Sequence, residues 1–393
     1  MPMSNNNENK LVPRLRFPEF QESNEWHIKE IHELSDIVKG QQLNRMELSE
    51  IGPYPCLNGG INPSGYTEHY NSDSDTITIS EGGNSCGYVN FMTSKFWLGG
   101  HCYKLLPKDG VNKLFYYQLL KLNESRIMKL RIGSGLPNIQ QKSLRRLKLQ
   151  FTKNIIEQQK IAACLSSLDE VITAESKKLE ALKEHKKGLL QNLFPQQGET
   201  VPKLRFKDFE HADWIETSLI HVADYENGKA HEQDIHESGE YVVVNSKFIS
   251  TDGEVKKFTN TPFCLAQKGD ILMVLSDVPN GKAIAKCFLV EEDNRYTVNQ
   301  RICKITPNKL NSKILYYLLN RNPYFLAFDD GVKQTNLRKE DVLDCPIMIP
   351  ENQMEQEKIA DCLSSLDELI TAQTQKIELL QQHKKGLLQG LFP

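Results

Sequence analysis

The sequence has no large excess of charge and no long apolar run. Its 393 residues carry a formal net charge of −3, with 25% charged residues. This balance excludes a uniformly basic coat for nucleic acid and a disordered acidic chain. No apolar stretch approaches the roughly 20 residues that a membrane-spanning helix needs, and the opening MPMSNNNENK lacks the apolar segment of a signal peptide. We expect a soluble protein with no membrane partner.

Paired cysteines are also lacking. The nine cysteines are odd in number and include no C-x-x-C pair, which argues against both a disulfide framework and a zinc site. Cys164 and Cys362 lie beside apolar residues, and we expect them to fill core space. A reducing cytoplasm fits this usage best, and we expect no metal.

No catalytic motif is complete. The Gly281-Lys282 pair has Ser276 where a phosphate-binding loop requires glycine, and Asn322-Pro-Tyr lacks the second proline of an adenine methyltransferase loop. Gly133-Ser-Gly-Leu-Pro-Asn does not match a dinucleotide-binding fingerprint, and H-E-x-x-H and G-x-S-x-G are absent. We expect no enzyme activity and no catalytic residues. A nuclease or methyltransferase with an unrecognised motif stays the alternative, because spacing alone cannot assemble scattered carboxylates into a site.

What the sequence does contain is a long internal repeat. Residues 157–195 reappear at 355–393, an offset of 198, with 28 of 39 aligned positions identical. A weaker echo opens each half: V-P-R-L-R-F at 12–17 and V-P-K-L-R-F at 201–206, each followed by a tryptophan. The intervening segments share little. Two similar repeated segments that flank two different segments are typical of a protein that recognises two separately varied sites.

The repeated segment predicts a long heptad helix. Steps of four and three from Ile161 to Leu193, and from Ile359 to Leu391, meet apolar residues at eight of ten positions in each copy. Each stripe ends at Leu-Phe-Pro, where proline forbids continuation. We expect a coiled coil of the two copies; the alternative is a surface helix packed only on its own domain.

Polar breaks in the stripe favour antiparallel pairing. The breaks are Glu175 and Lys186 in the first copy and Gln373 and Lys384 in the second. Antiparallel packing can set Glu175 opposite Lys384 and Lys186 opposite Gln373, whereas parallel packing would oppose the two lysines. Polar seam residues commonly determine register and orientation. We predict the antiparallel pair, with these two layers.

The expected fold class is α+β. We divide the chain into a strand-rich domain at 1–155, a central helix at 156–195, a second strand-rich domain at 196–352 and a final helix at 353–393. In the domains the sequence predicts a short helix over Trp26–Val38, helices with tyrosine pairs over Lys113–Leu122 and Ile314–Asn320, and several strands. The predicted strands are Thr76–Ser80, Tyr88–Phe91, His101–Leu106, Tyr241–Val244, Asp270–Leu275, Ile284–Val290 and Arg301–Thr306.

Polar loops of the two domains are where binding residues are expected. They concentrate amide, hydroxyl and cationic groups that can reach base edges or phosphates of DNA. For any single residue a solvated turn is the simpler explanation, and only the clustering favours function. The first domain offers Asn58, Asn62, Ser64, Tyr66, Ser134, Asn138, Gln140, Arg145 and Arg146, followed by further cations. The second offers Asn245, Lys247, Lys256, Lys257, Asn280, Lys282, Gln300, Arg301, Gln334, Asn336, Arg338 and Lys339.

The layout resembles the specificity (S) subunits of type I restriction–modification systems. The resemblance covers the whole chain and is most specific in the duplicated E-Q-x-K-I-A-x-C-L-S-S-L-D-E…H-K-K-G-L-L-Q-x-L-F-P segments. The L-R-F…W openings add to it, as does Gly269-Asp-Ile-Leu-Met-Val-Leu-Ser with Asn299-Gln-Arg.

This resemblance implies a noncatalytic reader of double-stranded DNA, with one half of a split target for each variable domain. It implies docking of two methyltransferase (M) subunits on the helices, and motor-nuclease (R) subunits in the full complex. S-adenosylmethionine, ATP and magnesium would belong to those partners, and this chain is expected to hold no cofactor. A coiled-coil adaptor that displays two interaction domains without reading DNA is the alternative.

Overall fold

The computed structural model describes residues 11–133, 135, 137–196, 198–231, 233–279 and 281–393. The chain divides into two compact units. Unit 1 comprises residues 1–177 and 375–393, and unit 2 comprises residues 178–374. Each unit therefore combines one of the two variable segments with part of both repeated helices. Within the described residues, no helix is long and apolar enough to cross a membrane.

Unit 1 contains nine of the described strands and the first helices of the chain. Its strands are β1 (His27–Glu30), β2 (Ser35–Lys39), β3 (Tyr54–Leu57), β4 (Gly65–Thr67), β5 (Thr76–Ser80), β6 (Val89–Met92), β7 (Trp97–Leu98), β8 (Cys102–Pro107) and β9 (Lys148–Phe151). Its helices are α1 (Ile31–Leu34), α2 (Lys113–Leu122), α3 (Glu124–Met128), α4 (Gln141–Arg145) and the first part of α5 (Ile155–Asn192). The end of the last helix of the chain completes the unit.

Unit 2 contains the remaining described strands and helices. Its strands are β10 (Trp214–Ser218), β11 (Ala223–Asn227), β12 (Tyr241–Val244), β13 (Phe258–Thr259), β14 (Leu265–Ala266), β15 (Ile271–Val274), β16 (Ser276–Asp277), β17 (Cys287–Leu289), β18 (Tyr296–Val298), β19 (Ile302–Pro307), β20 (Thr335–Asn336) and β21 (Pro346–Pro350). Its helices are α6 (Ser246–Ser250), α7 (Ser312–Leu319), α8 (Pro323–Leu326), α9 (Lys339–Leu343) and most of α10 (Gln353–Leu391). The α+β class is confirmed.

The two units share one sheet topology. An antiparallel sheet has the order β2-β8-β5-β6 in unit 1 and β11-β19-β15-β17 in unit 2. A second sheet is built on a parallel pair, β3 with β7 and β12 with β18. An antiparallel ribbon, β1 with β9 and β10 with β21, leads into each long helix. The inserts therefore differ in sequence while the strand order of the four-stranded antiparallel sheet is retained.

Strand β15 shows how alternation builds the core of unit 2. All four of its residues are buried, and alternate side chains enter different apolar clusters. Ile271 and Met273 join the cluster that contains Leu315 and Phe325, whereas Leu272 and Val274 join a second cluster. Because successive side chains point to opposite faces, a strand covered on both faces reads as a continuous apolar run.

The openings of the two halves anchor the long helices. Arg16 donates two hydrogen bonds to the carboxylate of Glu157, at 2.7 and 3.0 Å. Arg205 does the same to Glu355, at 2.8 and 2.9 Å. Both glutamates are fully buried, and they occupy the same position of the repeat. The arginine of each L-R-F opening thus neutralises a carboxylate that the helix brings into the core, in the bidentate geometry that favours arginine.

The repeated helices run antiparallel within each unit. In unit 1, Lys384 donates to Asp169 at 2.5 Å and Lys376 donates to Glu175 at 2.5 Å. In unit 2, Lys186 donates to Asp367. The partner numbers rise on one helix as they fall on the other, which confirms antiparallel pairing. Seam positions are buried or half-buried along both helices.

The register expected from the sequence is wrong. Lys384 bonds Asp169 instead of facing Glu175, and Lys186 bonds Asp367 instead of Gln373. Asp169 and Asp367 flank the apolar stripe and are equivalent in the repeat. A flexible lysine stem lets the ammonium leave the seam and reach a flanking carboxylate. Matching polar seam positions against each other therefore misplaced the layers.

The helix expected over Trp26–Val38 is also wrong. That segment forms β1, the single turn of α1 and then β2. The 3.6-residue spacing of Ile31 and Leu34 is satisfied by that one turn, and both side chains are buried. The flanking residues enter two different sheets. Cross-strand pairing thus overrides a periodicity that is too short to be decisive.

Candidate nucleic-acid interface

Strand ends gather the polar loops of unit 2 at one edge. Strands β12 and β18 are parallel, so the residues that follow them, Asn245 and Asn299–Arg301, leave the sheet on the same side. The amide of Asn299 donates to the carbonyl of Val244 at 3.0 Å, which holds the two exits together. Lys247 follows on α6 and is exposed.

A two-stranded ribbon joins this edge. Strand β16 pairs with β20, placing Ser276 opposite Asn336. The Leu275 amide donates to the carbonyl of Arg301 at 2.9 Å, and Gln334 Nε2 donates to Ser276 Oγ at 2.6 Å. Side chains from residues 58 positions apart are thereby brought together. This surface, the unit 2 edge, consists of Asn245, Ser276, Asn299–Arg301 and Gln334–Asn336.

The loop after β16 is folded around one carboxylate. Asp277 accepts hydrogen bonds from the backbone amides of Ala283 at 2.6 Å and Ile284 at 3.2 Å. A Cβ on Gly281 would lie 2.1 Å from Asp277 Oδ2, so only glycine permits this approach. Lys282 is exposed on the loop. The glycine of Gly281-Lys282 thus serves a turn.

Unit 1 has a corresponding edge. Strands β3 and β7 are parallel, and the Gly99 amide donates to the carbonyl of Leu57 at 2.7 Å. The Glu81 amide donates to the carbonyl of His101 at 2.8 Å, and Gly82 pairs with Asn138 in a β-bridge. The unit 1 edge is defined by Asn58, Gly82, His101 and Asn138. These positions match Asn245, Ser276, Arg301 and Asn336 by their hydrogen bonds.

Some of the predicted residues already use their side chains in hydrogen bonds within the chain, whereas others are exposed. Asn245 Oδ1 caps α6 by accepting from the Phe248 amide at 2.9 Å, and Asn58 Oδ1 accepts from the His101 amide at 3.2 Å. Both asparagines thus have their carbonyl oxygens occupied. Exposed positions include Asn62, Ser64, Asn138, Gln140, Lys256, Lys257, Gln300, Arg301, Gln334 and Asn336, and Tyr66 is half-buried. Ser134 and Asn280 lie outside the described residues.

Two predicted cations at the start of α9 are partly engaged. The Arg338 guanidinium bonds Asp341 at 2.9 and 3.1 Å, although 77% of its side chain is exposed. This hydrogen bond lowers the pKa of the Asp341 carboxyl, with burial opposing it. Lys339 Nζ lies 5.8 Å from the centre of the Tyr225 ring. Arg338 keeps donors available, but its orientation is set by Asp341.

Cations of unit 1 line a cleft at helix α4. Arg145 and Arg146, with Lys142, border a cleft of about 390 Å³ together with Glu30 and His32. Ring nitrogen Nδ1 of His32 lies 3.1 Å from the carbonyl oxygen of Arg145. Because the carbonyl can only accept, this contact requires the proton on Nδ1. Helix α4 begins directly after Gln140 and carries Lys142 and Arg145 into this cleft.

The sequence reasoning missed His101 and Ser276 as members of these edges. His101 is exposed and occupies the position that Arg301 has in unit 2. The signal was present in the pair Gly99-Gly-His and Asn299-Gln-Arg, but only strand pairing aligns them. Within the described parts of the chain, no group of three or more His, Cys, Asp or Glu could hold a metal ion.

A family comparison identifies the repeated units. The model of the type I restriction modification DNA specificity domain matches residues 23–184 and again residues 211–382, most of the chain. The chain belongs to this family. Each match covers one variable segment and much of the repeated helix that follows it, so the family unit is the same repeat that the sequence displays.

Individual relatives agree with the family. The type I restriction enzyme MjaVIII specificity subunit of Methanocaldococcus jannaschii is 25% identical over 98% of this chain and 94% of its own length. A protein of Mycoplasma genitalium named as a type I specificity subunit is 36% identical, over 37% of this chain and 38% of its own length. The aligned part thus covers well under half of that relative's length.

The fold is shared with a solved family structure. The crystal structure of an S subunit of a type I restriction–modification system from M. genitalium matches 98% of this chain and 99% of its own, with a TM-score of 0.72 at 22% identity. A chain from a structural study of type I restriction–modification assembly matches with a TM-score of 0.53 at 13% identity.

Proposed function

We propose that this chain is the noncatalytic DNA-reading subunit of a type I restriction–modification complex, and that each unit recognises one half of a two-part target. Family membership supports this function. The observation that carries the two-part reading is the correspondence of the edges. Both units use the same backbone hydrogen bonds to present different side chains, such as His101 in unit 1 and Arg301 in unit 2.

The chemistry of the unit 2 edge suits base recognition. An amide side chain can bond the N6 and N7 edge of adenine, and arginine the O6 and N7 edge of guanine. Gln334, Asn336 and Arg301 supply these groups on and beside a two-stranded ribbon, which is an element that the major groove admits. Residues such as Lys256 and Lys282 are suited to phosphates, which position the protein without reading sequence.

Exposed apolar residues on the repeated helices support partner binding. Ile156 in unit 1 and Met354 in unit 2 are equivalent in the repeat and are 59% and 65% exposed. Val171 and Leu369 are a second equivalent pair, 43% and 57% exposed. Apolar side chains exposed at the same repeat positions fit one docking face in each unit. We infer that two identical methyltransferase subunits dock there and that motor-nuclease subunits join them.

The cofactors of the reaction belong to those partners in this proposal. S-adenosylmethionine would be held by the methyltransferase subunits, and ATP and magnesium by the motor-nuclease subunits. The chain itself recognises the DNA target and provides the helices on which the partner subunits dock. Its site of action is the compartment that contains the chromosome, the cytoplasm.

Methylome sequencing tests the proposal. A host that carries this chain with its methyltransferase partner should methylate a split motif, and replacing residues 1–155 by a relative's segment should change one half of the motif only. The chain alone should not methylate DNA. Loss of both halves on swapping would contradict one half-site per unit. A partner complex that neither binds nor methylates a specific sequence would favour the adaptor alternative.

A further inference from the structure

The cleft of unit 1 carries a positive charge that the fold does not use. Lys142, Arg145 and Arg146 are exposed around it. None of the three side chains has a hydrogen bond or ion pair with any residue in the described parts of the chain. Among the described residues, Glu30 is the one carboxylate that lines the cleft, and it lies 3.3 Å from His32. Three cations therefore face one carboxylate, which leaves the cleft open to an anion.

The spacing of the cations gives them a common face. Arg145 and Arg146 follow Lys142 by three and four residues. This spacing places all three on one side of α4 and its C-terminal end. Helix α4 begins directly after Gln140, so at 1.5 Å per residue its last residue, Arg145, lies about 8 Å along the helix from Gln140. The chain thus passes from Asn138 of the unit 1 edge, through Ile139 and Gln140, into the helix that lines the cleft.

The corresponding positions of unit 2 carry different residues. The Ile31 amide donates to the carbonyl of Leu147, and the Leu219 amide donates to the carbonyl of Cys345, which aligns the two units at this place. The three cations then correspond to Glu340, Leu343 and Asp344, and the pair Glu30 and His32 corresponds to Ser218 and Ile220. The charge of this surface is therefore special to unit 1, and the shared frame does not require it.

We propose that Lys142, Arg145 and Arg146 bind backbone phosphates beside the half-site read by unit 1, and that unit 2 lacks an equivalent contact. This inference rests on the proposed function. Guanidinium groups bind phosphate oxygens in a bidentate manner, and free cations next to a base-reading edge suit the adjoining phosphates. These three cations then add to the sequence-independent and salt-sensitive part of DNA binding at a position where unit 2 carries Glu340, Leu343 and Asp344.

Salt-dependent binding of the full chain with its methyltransferase partner tests this. The probes are a duplex with the methylated motif and a duplex with that motif shuffled. In the variant K142Q/R145Q/R146Q, affinity should fall similarly for both duplexes. The slope of log K against log salt should lose about 0.9 for each phosphate released, or roughly 2 to 3 in all. The methylated motif should not change.

Two further variants control for charge and fold. The charge-retaining variant K142R/R145K/R146K should keep most of the salt slope, and E340K/L343R/D344R should steepen it by adding cations to unit 2. An unchanged slope in the folded glutamine variant would overturn the inference. An unchanged slope together with loss of the bound methyltransferase subunit would overturn it in favour of a protein partner. A wild-type complex without motif-specific binding would instead contradict the proposed function.

Discussion

Phe392 packs edge-on against Trp26, with ring centroids 5.7 Å apart. It also stacks on Phe115 at 5.4 Å. The end of the second repeated helix thus completes the core of unit 1, where Trp26 comes from the opening of the first half. In unit 2 the equivalent residue Phe194 packs against Trp214 at 6.3 Å. The tryptophans of the openings and the L-F-P ends of the helices are therefore parts of the same two clusters.

Removal of the Phe392 ring should destabilise unit 1 in particular. F392A should lower the free energy of unfolding by about 3–5 kcal/mol, since a buried phenylalanine leaves a cavity. Hydrogen exchange followed by mass spectrometry should show faster exchange in residues 11–177. The matched variant F194A should instead act on unit 2. Equal loss of protection in both units from either variant would argue against two separately completed cores.

The buried arginine–glutamate pairs should be strongly coupled. E355Q should destabilise unit 2 by about 3–5 kcal/mol, because it leaves Arg205 buried without its counter-charge. R205M/E355M should cost less than E355Q, since no unpaired charge remains. Urea unfolding monitored at Trp214 measures this, because its Nε1 donates to Glu355. If the loss of stability in R205M/E355M equalled the sum of the losses in R205M and in E355M, the pair would not be coupled.

A double-mutant cycle should identify the helix register in unit 1. D169N and K384M should show a coupling of about 0.5–1 kcal/mol, the usual range for a partly exposed ion pair. E175Q and K384M should be additive. Thermal or urea unfolding of the four variants supplies the values. Coupling between positions 175 and 384, with none between 169 and 384, would restore the register expected from the sequence.

Two asparagines of unit 2 should behave differently. If Asn336 bonds a base, N336A should weaken binding of one half-site by roughly 1–3 kcal/mol. The variant should also relax the base preference at one position of the methylated motif. N245A should instead lower the stability of unit 2 by about 1 kcal/mol, because Asn245 caps α6. Methylome sequencing and thermal unfolding separate these effects. Altered base preference in N245A with unchanged stability would reverse the assignment.

Buried thiols should resist alkylation. Burial raises the pKa of Cys102 and Cys264 to about 11 and that of Cys303 and Cys345 to about 12. At pH 8 about one in a thousand of these thiols, or fewer, is ionised, so iodoacetamide should modify them only after unfolding. Peptide mass spectrometry measures the modification.

The same shifts predict how stability depends on pH. In the folded chain the pKa values of these four thiols exceed the ordinary value of 9. As the pH rises, the unfolded chain therefore releases its thiol protons before the folded chain does. The contribution of these thiols is complete below pH 9 and is lost as the pH rises toward 11 or 12. Native-state labelling of Cys303 at pH 8 would contradict its burial.

Much of the frame could be predicted because it is local or repeated. Strand β5 and helix α2 have the predicted bounds. The seam followed from a stripe sustained over about five heptads, for which chance agreement is small. The antiparallel sense followed from the polar breaks, because parallel packing would oppose Lys186 and Lys384. The segment after Trp26 failed because one apolar turn between two strands has the same spacing as a short helix.

The recognition edges depend on long-range pairing. Asn138 and Asn336 could be matched from the sequence, because they share the offset of 198. His101 could not be joined to Asn58, because their contact depends on the parallel pairing of β3 with β7. The specific bases read also depend on which of these side chains meet a groove, and loop composition alone does not decide that.

By itself the sequence determined the repeat, the two long helices, the α+β class and the resemblance to the specificity subunits. Each of these follows from patterns within a segment or from comparison of one segment with another. Only the tertiary structure decided the ion-pair register and the membership of the edges. It also assigned the end of each helix to a core cluster. These depend on side chains that are distant in the chain and meet only when strands pair and helices pack.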